Sequence, residues 1–295
     1  MATGITLAST SNLSTTQKAI IAAAKIAHEP AAPDPDLIAN ETIPQGSKNW
    51  NIATYARLSQ ASQLTEGVDL AQSQQLVTNT ITVTPVEHGI IVTLSKRLVR
   101  SQGDTNVVTT SGSLMGVSMR NRKANDVIAL YDSFSKSVGG SGTTLDITHF
   151  RGAVAYLLTD NNTSYGPAPM PLVSALHIEQ ISDVIVDITG GANIGSSRFG
   201  LTEEMVQRWW RGSDRLYGVP LFHSGYITRD SSNDSKGGLF HRDSMHYVQA
   251  NAEAEESQAD ISLRATEYGM FQEWSEAQRA DVHGAEIYSN TSATV

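Results

Sequence analysis

Apolar and polar positions alternate in two stretches that face each other across a polar gap. Trp50, Ile52 and Thr54 alternate with Asn51, Ala53 and Tyr55, the period of two expected of a half-buried strand. Over residues 77–86 the pattern is clearer: Thr78, Thr80, Thr82 and Thr84 take one face, and Val77, Ile81 and Val83 take the other. Between these runs, residues 59–75 are rich in Ser, Gln and Ala and carry Gly67 with the acidic Glu66 and Asp69. The pattern predicts a long two-stranded hairpin with a polar tip. An isolated hairpin is marginal in water, so this one is expected to need a partner surface; the alternative is a hairpin folded back on its own domain. Ile90, Val92 and Leu94 then predict a further strand, and Lys96, Arg97 and Arg100 form the nearest approach to a basic cluster.

The period changes after this point. Leu114, Val117, Asn121, Ala124 and Ile128 recur at steps of three or four and predict one long helix over residues 106–131, capped by Asp104, Thr105 or Asn106. Gly112 and Gly116 weaken its first half and leave room for a bend or a close neighbour. Gly139, Gly140 and Gly142 read as a flexible link into a second unit. There Asp146 or Thr148 caps a helix with Phe150, Val154, Leu157 and Leu158 on its apolar side. A short strand over 172–175, a helix over 177–186, a helix over 203–211, a strand over 216–227 and a strand or hairpin arm over 239–248 follow. This mixture describes an α+β fold.

The two ends need partners. Ser14 and Gln17 predict a capping box for a short helix, and Pro30, Pro33 and Pro35 stop it and hold an extended arm. The arm has little core of its own; it is expected either to be a loose terminus or to lie across a neighbour. Near the other end, residues 263–268 and 285–288 predict strands that pair with the strands of residues 81–94. That pairing makes both ends and the long helix one domain, with residues from about 146 to 245 inserted as another.

Composition narrows the function. Of 295 residues, 40% are hydrophobic, below the usual globular share, which suits a chain with much loop and much surface meeting other protein. There is no cysteine, so disulfides, Cys-based metal sites and a Cys nucleophile are excluded. The formal net charge of −9, without a dense Lys/Arg run, argues against a direct grip on nucleic acid. No stretch has the pattern of a signal peptide or a membrane span, so a soluble, cytoplasm-like compartment is expected.

No catalytic constellation emerges. His241, Arg242 and Asp243 spell the catalytic triplet of protein kinases, but the downstream Asn, a D-F-G and a glycine-rich loop before a suitable Lys are missing. Gly190, Gly191 and Gly195 lack the following Gly-Lys-Ser/Thr of a phosphate cradle. His28, His88, His149, His177, His223, His241, His246 and His283 are scattered, with no H-E-x-x-H spacing. Glu203 with Glu204, and Glu255 with Glu256, are adjacent carboxylates expected on exposed surface. Trp209 reads as core, and Trp210 as core or a contact. No enzymatic activity, cofactor or metal is therefore expected.

The order of parts resembles the major capsid proteins of tailed double-stranded DNA phages (Caudoviricetes), with the Hong Kong 97-type fold. On that resemblance residues 1–45 correspond to the N-terminal arm and 46–86 to the extended loop. Residues 87–145 with 246–295 correspond to the peripheral domain with its spine helix, and 146–245 to the axial domain. "YGVPLFHSGYI" and "KGGLFHRDSMHYV" resemble paired strands near the end of the axial domain, and "ISLRATEYGMFQEWSEAQRADVHGAEI" resembles the terminal strands of the peripheral domain.

The resemblance implies a structural protein that self-assembles as pentamers and hexamers into an icosahedral capsid around packaged double-stranded DNA, without sequence-specific binding. It implies a virion location, assembly in the host cytoplasm, a portal and, because little chain precedes the hairpin, a separate scaffolding protein. A cementing protein is a further possible partner, and no membrane is involved. Contacts between subunits are expected at Trp50, Ile52, Tyr55, Glu66, Asp69, Ile81, Val83, Arg97, Arg100 and Trp210. Some members of the family join subunits by Lys–Asn bonds; Lys48 lies near the hairpin, but no motif marks an Asn partner or assisting Glu, and no crosslink is expected. The alternatives are an encapsulin-like nanocompartment shell of the same fold, a tail or connector protein, and a cytoplasmic α+β enzyme.

Overall fold

The computed structural model describes residues 32–44, 46–67, 73–102, 106–159, 165–189, 215–250 and 254–291. The Ser14 helix, Asp69, the helix expected over 203–211 with Trp209 and Trp210, and the glycine turn at 190–195 lie outside the described residues.

Two sheets and one long helix organise the chain. The first sheet contains β1 (Ala39–Thr42), β4 (Val86–Ser95), β10 (Met245–Gln249), β11 (Ala254–Asp260) and β12 (Ala265–Gln278). β12 is its axis: β4 runs antiparallel along one side from Val86 opposite Trp274 to Ser95 opposite Ala265, and β11 and β10 share the other side. β1 closes that side, parallel to β10. The second sheet has the order β5 (Ser137–Thr144), β13 (Gly284–Asn290), β9 (Asp234–His241), β6 (Leu172–Leu176), β8 (Val219–His223) and β7 (Arg215–Leu216). β2 (Trp50–Tyr55) and β3 (Thr78–Val83) form a separate antiparallel pair.

The long helix is α3 (Asn106–Ala129), continued by a 3-10 turn over Leu130–Ser133. Its buried stripe is Met115, Met119, Ala124, Val127 and Tyr131, whereas Leu114 is exposed. The helix is therefore rotated from the expected stripe. Met and Leu lie side by side at 114 and 115, so apolarity alone does not set the rotation. A Cβ at Gly112 or Gly116 would meet nothing within 4 Å, so these glycines serve no close approach inside the subunit. The stripe packs with Ile38, just before β1, and with Met245, Tyr247, Met270 and Trp274 of the first sheet. At its lower end, Tyr131 and Phe134 stack on Phe240 of the second sheet, with ring centroids 5.4 and 6.4 Å apart, so one core spans both sheets.

A second core lies under α4 (Ile147–Leu158) and α5 (Ile178–Thr189). Asp146 caps α4 by accepting the His149 amide at 2.7 Å, while Thr148 lies inside the helix. Phe150, Val154 and Leu157 are buried as expected, but Leu158 faces outward.

Several expectations are corrected. The run at Gly139–Gly142 is part of β5 and not a flexible link. Gly139 has φ +96°, and a Cβ there would lie 2.2 Å from the Tyr288 carbonyl oxygen, so glycine permits the close strand approach. Residues 216–227 hold a hairpin and not one strand: Tyr217 and Gly218, both at positive φ, turn β7 back onto β8. Residues 239–248 are split by a 3-10 turn at Arg242–Ser244, which carries the chain from the second sheet into the first. β12 pairs with β4 as expected, but β13 pairs with β5 and β9, not with residues 81–94. Hydrogen bonding thus departs from the expected domain boundaries at 145 and 246, because 137–144 and 284–290 join the sheet of the inserted unit. The described end of the N-terminal arm is also no loose terminus: Ile38 is fully buried and β1 is an integral strand.

Candidate functional site

The hairpin is the feature least explained by the subunit's own core. β2 and β3 pair from Trp50 opposite Val83 to Tyr55 opposite Thr78. Beyond the strands the arms stay together: the Ala56 amide donates to the Val77 carbonyl at 2.9 Å, and the Ser59 amide to Gln74 Oε1 at 2.7 Å. From Arg57 to Glu66, and again from Ser73 to Val77, every residue is exposed. Tyr55, Leu58, Leu64, Leu76 and Val77 are large apolar side chains left in solvent. Singly exposed apolar residues are ordinary; here five of them recur along one arm.

The root of the hairpin belongs to the subunit. Ile52 and Val83 are buried with Ile43 and Val248, and Trp50 and Ile81 pack against the same group. Of the expected contact residues, Ile52 and Val83 are buried inside the chain, and Trp50 and Ile81 are partly buried there. Tyr55, at 59% exposure, and Glu66, Arg97 and Arg100 remain on the surface. Asp69 and Trp210 lie outside the described residues.

A polar tie accompanies the apolar root. Arg279, just after β12, donates from Nε to Thr54 Oγ1 at 3.2 Å, and its own amide donates to the Ser244 carbonyl at 2.7 Å. Beside it, His246 on β10 is buried, and neither ring nitrogen has a hydrogen-bond partner. Burial, then the Arg279 charge, push the His246 pKa down; Glu41, whose Oε1 is 4.0 Å from Nδ1, and Asp243 oppose this.

The N-terminal segment is tied down at a second node. Asp34 is fully buried in the one-turn helix α1 (Asp34–Leu37). Tyr131 Oη donates to Asp34 Oδ1 at 2.8 Å, and Ser224 Oγ donates to Oδ2 at 2.6 Å. Burial raises the Asp34 pKa, with the two hydroxyl donors offsetting part of the effect; burial first, and Asp34 second, push Tyr131 well up. Arg120 of α3 adds an ion pair to Asp36 at 2.7 Å and a bond to the Ala32 carbonyl at 3.1 Å. Sequence reasoning missed this node, as it missed Arg279: the partners are far apart in the chain and no local pattern links them.

Among the described residues no group of three His, Asp or Glu is placed to hold a metal ion. No described helix is long and apolar enough to cross a membrane. His241 accepts the Asp243 amide at its own 3-10 turn, so the kinase-like triplet is a chain corner.

No family model matches the sequence, and no curated protein matches it. Solved structures do match, over nearly the whole chain. The head structure of Helicobacter pylori bacteriophage KHP40 superposes with a TM-score of 0.69 at 10% identity, over 98% of both chains. A Mycobacterium phage Che8 structure gives 0.62 at 10% identity, over 90% of this chain and 94% of that one. The SrpI encapsulin of Synechococcus elongatus PCC 7942 gives 0.65 at 11% identity, over 98% of both. The chain therefore has the Hong Kong 97-like fold shared by phage capsid subunits and encapsulins.

Proposed function

We propose that the chain is the major capsid protein of a tailed phage: a non-enzymatic subunit that assembles with copies of itself into an icosahedral shell around double-stranded DNA. The observation that carries this reading is the hairpin. Its root is packed into the subunit through Ile52 and Val83, while the arm beyond Tyr55 carries a series of exposed apolar residues. Ordering so much exposed chain costs conformational entropy, which the surface of another copy would offset. The whole-length likeness to phage heads supports the same reading. Pentamers and hexamers, assembly in the host cytoplasm, a portal, a separate scaffolding protein and packaged DNA belong to this proposal. So does the division into a hairpin, a peripheral region around α3 and an axial region around α4 and α5. With a net charge of −9, the shell encloses DNA without adhering to it.

A second reading is a nanocompartment shell, favoured by the likeness to the encapsulin over 98% of both chains. Electron microscopy of the purified protein, expressed alone and with its neighbouring genes, tests both. Closed shells, or five- and six-fold rings that become shells with a scaffold, are expected. Shells that hold a cargo protein and no nucleic acid select the second reading, and a uniform small oligomer in both preparations rejects both.

A further inference from the structure

Exposed charge is unevenly distributed on the first sheet. Lys96, Arg97 and Arg100 stand exposed on α2 (Lys96–Gln102), which leaves the end of β4. Arg264, also exposed, is held beside them: its carbonyl accepts the Lys96 amide at 2.9 Å, and the flanking residues Ser95 and Ala265 are strand partners. Four cations thus gather at one end of the sheet in a chain of net charge −9. None of the four has an ion-pair partner among the described residues. Asp260, opposite Ala265 across the β11–β12 pair, is occupied by its own turn, accepting from Ser262 Oγ at 2.6 Å and from the Leu263 amide at 3.1 Å. Ile261, 85% exposed, adds an apolar contact to the same tip.

The complement lies on the same sheet but out of reach. Among the described residues β11 pairs only with β12, as an edge strand, and its first six residues are exposed on both faces. It carries Glu255 and Glu256, one on each face because successive side chains alternate. These residues lie opposite Met270 and Gly269, five and four positions along β12 from Ala265. At about 3.4 Å per residue that is roughly 14–17 Å. The separation exceeds the screening length of about 8 Å at physiological salt, so patch and edge do not neutralise each other within one subunit. An open edge is a template for another chain, and like charges placed opposite one another disfavour pairing of β11 with its own copy.

Resting on the shell reading above, we infer that the tip formed by Lys96, Arg97, Arg100 and Arg264 docks on the acidic edge strand β11 of a second copy. The contact joins two different surfaces, so it is head-to-tail. Contacts of that kind propagate from copy to copy and close into rings when the rotation allows. The partner is a second copy and not nucleic acid, because only the protein surface supplies both the carboxylates and a face for Ile261 to cover.

Charge reversal tests this on the full chain. Arg97→Glu with Arg100→Glu, and separately Glu255→Lys with Glu256→Lys, are expected to lose the shell peak in sedimentation. Their circular dichroism and melting should match those of the parent, since all four positions are exposed. The chain carrying all four reversals regains shells, and parent shells dissociate as salt rises. Intact shells from either pair, or no recovery in the combined chain, overturn this contact while leaving the shell reading standing. Normal shells from Arg97→Glu with Arg100→Glu that no longer retain duplex DNA overturn it in favour of a nucleic-acid contact. A parent chain that never forms shells rejects the shell reading itself, and this contact with it.

Discussion

Asp34 and Ser224 stand 190 positions apart in the chain, and the Ser224 hydroxyl donates to the Asp34 carboxylate at 2.6 Å. With Tyr131 on the other oxygen, one buried acid joins the N-terminal segment, the end of α3 and the loop after β8. An acid whose folded pKa is raised stabilises the fold fully below its ordinary value of 3.8, and that stabilisation is lost as pH rises through the raised value. Asp34→Asn keeps the shape and removes the titration, so its melting temperature should lose the part of the pH slope that lies above 3.8. Asp34→Ala instead strands two buried hydroxyls, at about 1–3 kcal/mol each, and should lower stability at every pH. Thermal melts from pH 3 to 8 check both; an unchanged slope in Asp34→Asn rejects the assignment.

His246 works in the opposite sense. Its folded pKa is lowered, so the unfolded chain binds the proton more readily, and stability falls as pH drops below the ordinary value of 6.5. The cationic ring would be drawn to Glu41 and pushed from Arg279, which holds Thr54 at the hairpin root. Acidification should therefore increase protease cleavage of residues 59–75 in the free subunit. His246→Leu removes a buried polar group without partners, so it should be neutral or stabilising at pH 7 and should abolish that acid sensitivity.

Ala124 lies at the centre of the buried stripe of α3, with no exposed surface. Proline there removes a helix hydrogen bond and collides with the preceding turn, at a cost of about 3 kcal/mol or more. Ala124→Pro should yield insoluble protein or a melting point lowered by about five degrees or more, and no shells. Normal shells from this variant would contradict the role of α3 as the shared wall of both sheets.

The described residues of the 59–75 segment are all exposed, and the buried root ends at Thr54 on one strand and resumes at Ile81 on the other, so deleting 59–75 should spare the core. The shortened subunit should melt within a few degrees of the parent yet fail to form shells. Unfolding on deletion would place the arm in the subunit's own core.

Local pattern carried much of this fold. Alternation at residues 50–55 and 77–83 marked the hairpin and its inward face, which the burial of Ile52, Thr54 and Val83 matches. Period, caps and turn residues placed α3 and α4 within a few residues. Such signals are legible because each depends on neighbours three or four positions away. β11 was missed because it is exposed on both faces and so has no alternation to read. β5 was missed because glycines normally interrupt strands, and here they admit the close approach of β13.

The amino-acid sequence by itself determined that the chain is α+β, free of cysteine chemistry and of catalytic motifs, with a long helix and a hairpin whose tip no local pattern covers. Which strand pairs with which, where β13 inserts, how α3 is rotated and that Arg264 joins Lys96, Arg97 and Arg100 were decided only in three dimensions. The physical reason is that these relations join residues far apart in the chain, as where Ala39 of β1 pairs with His246 of β10. Their energies come from burial and from pairing polar groups across the core, and neither leaves a trace in local periodicity.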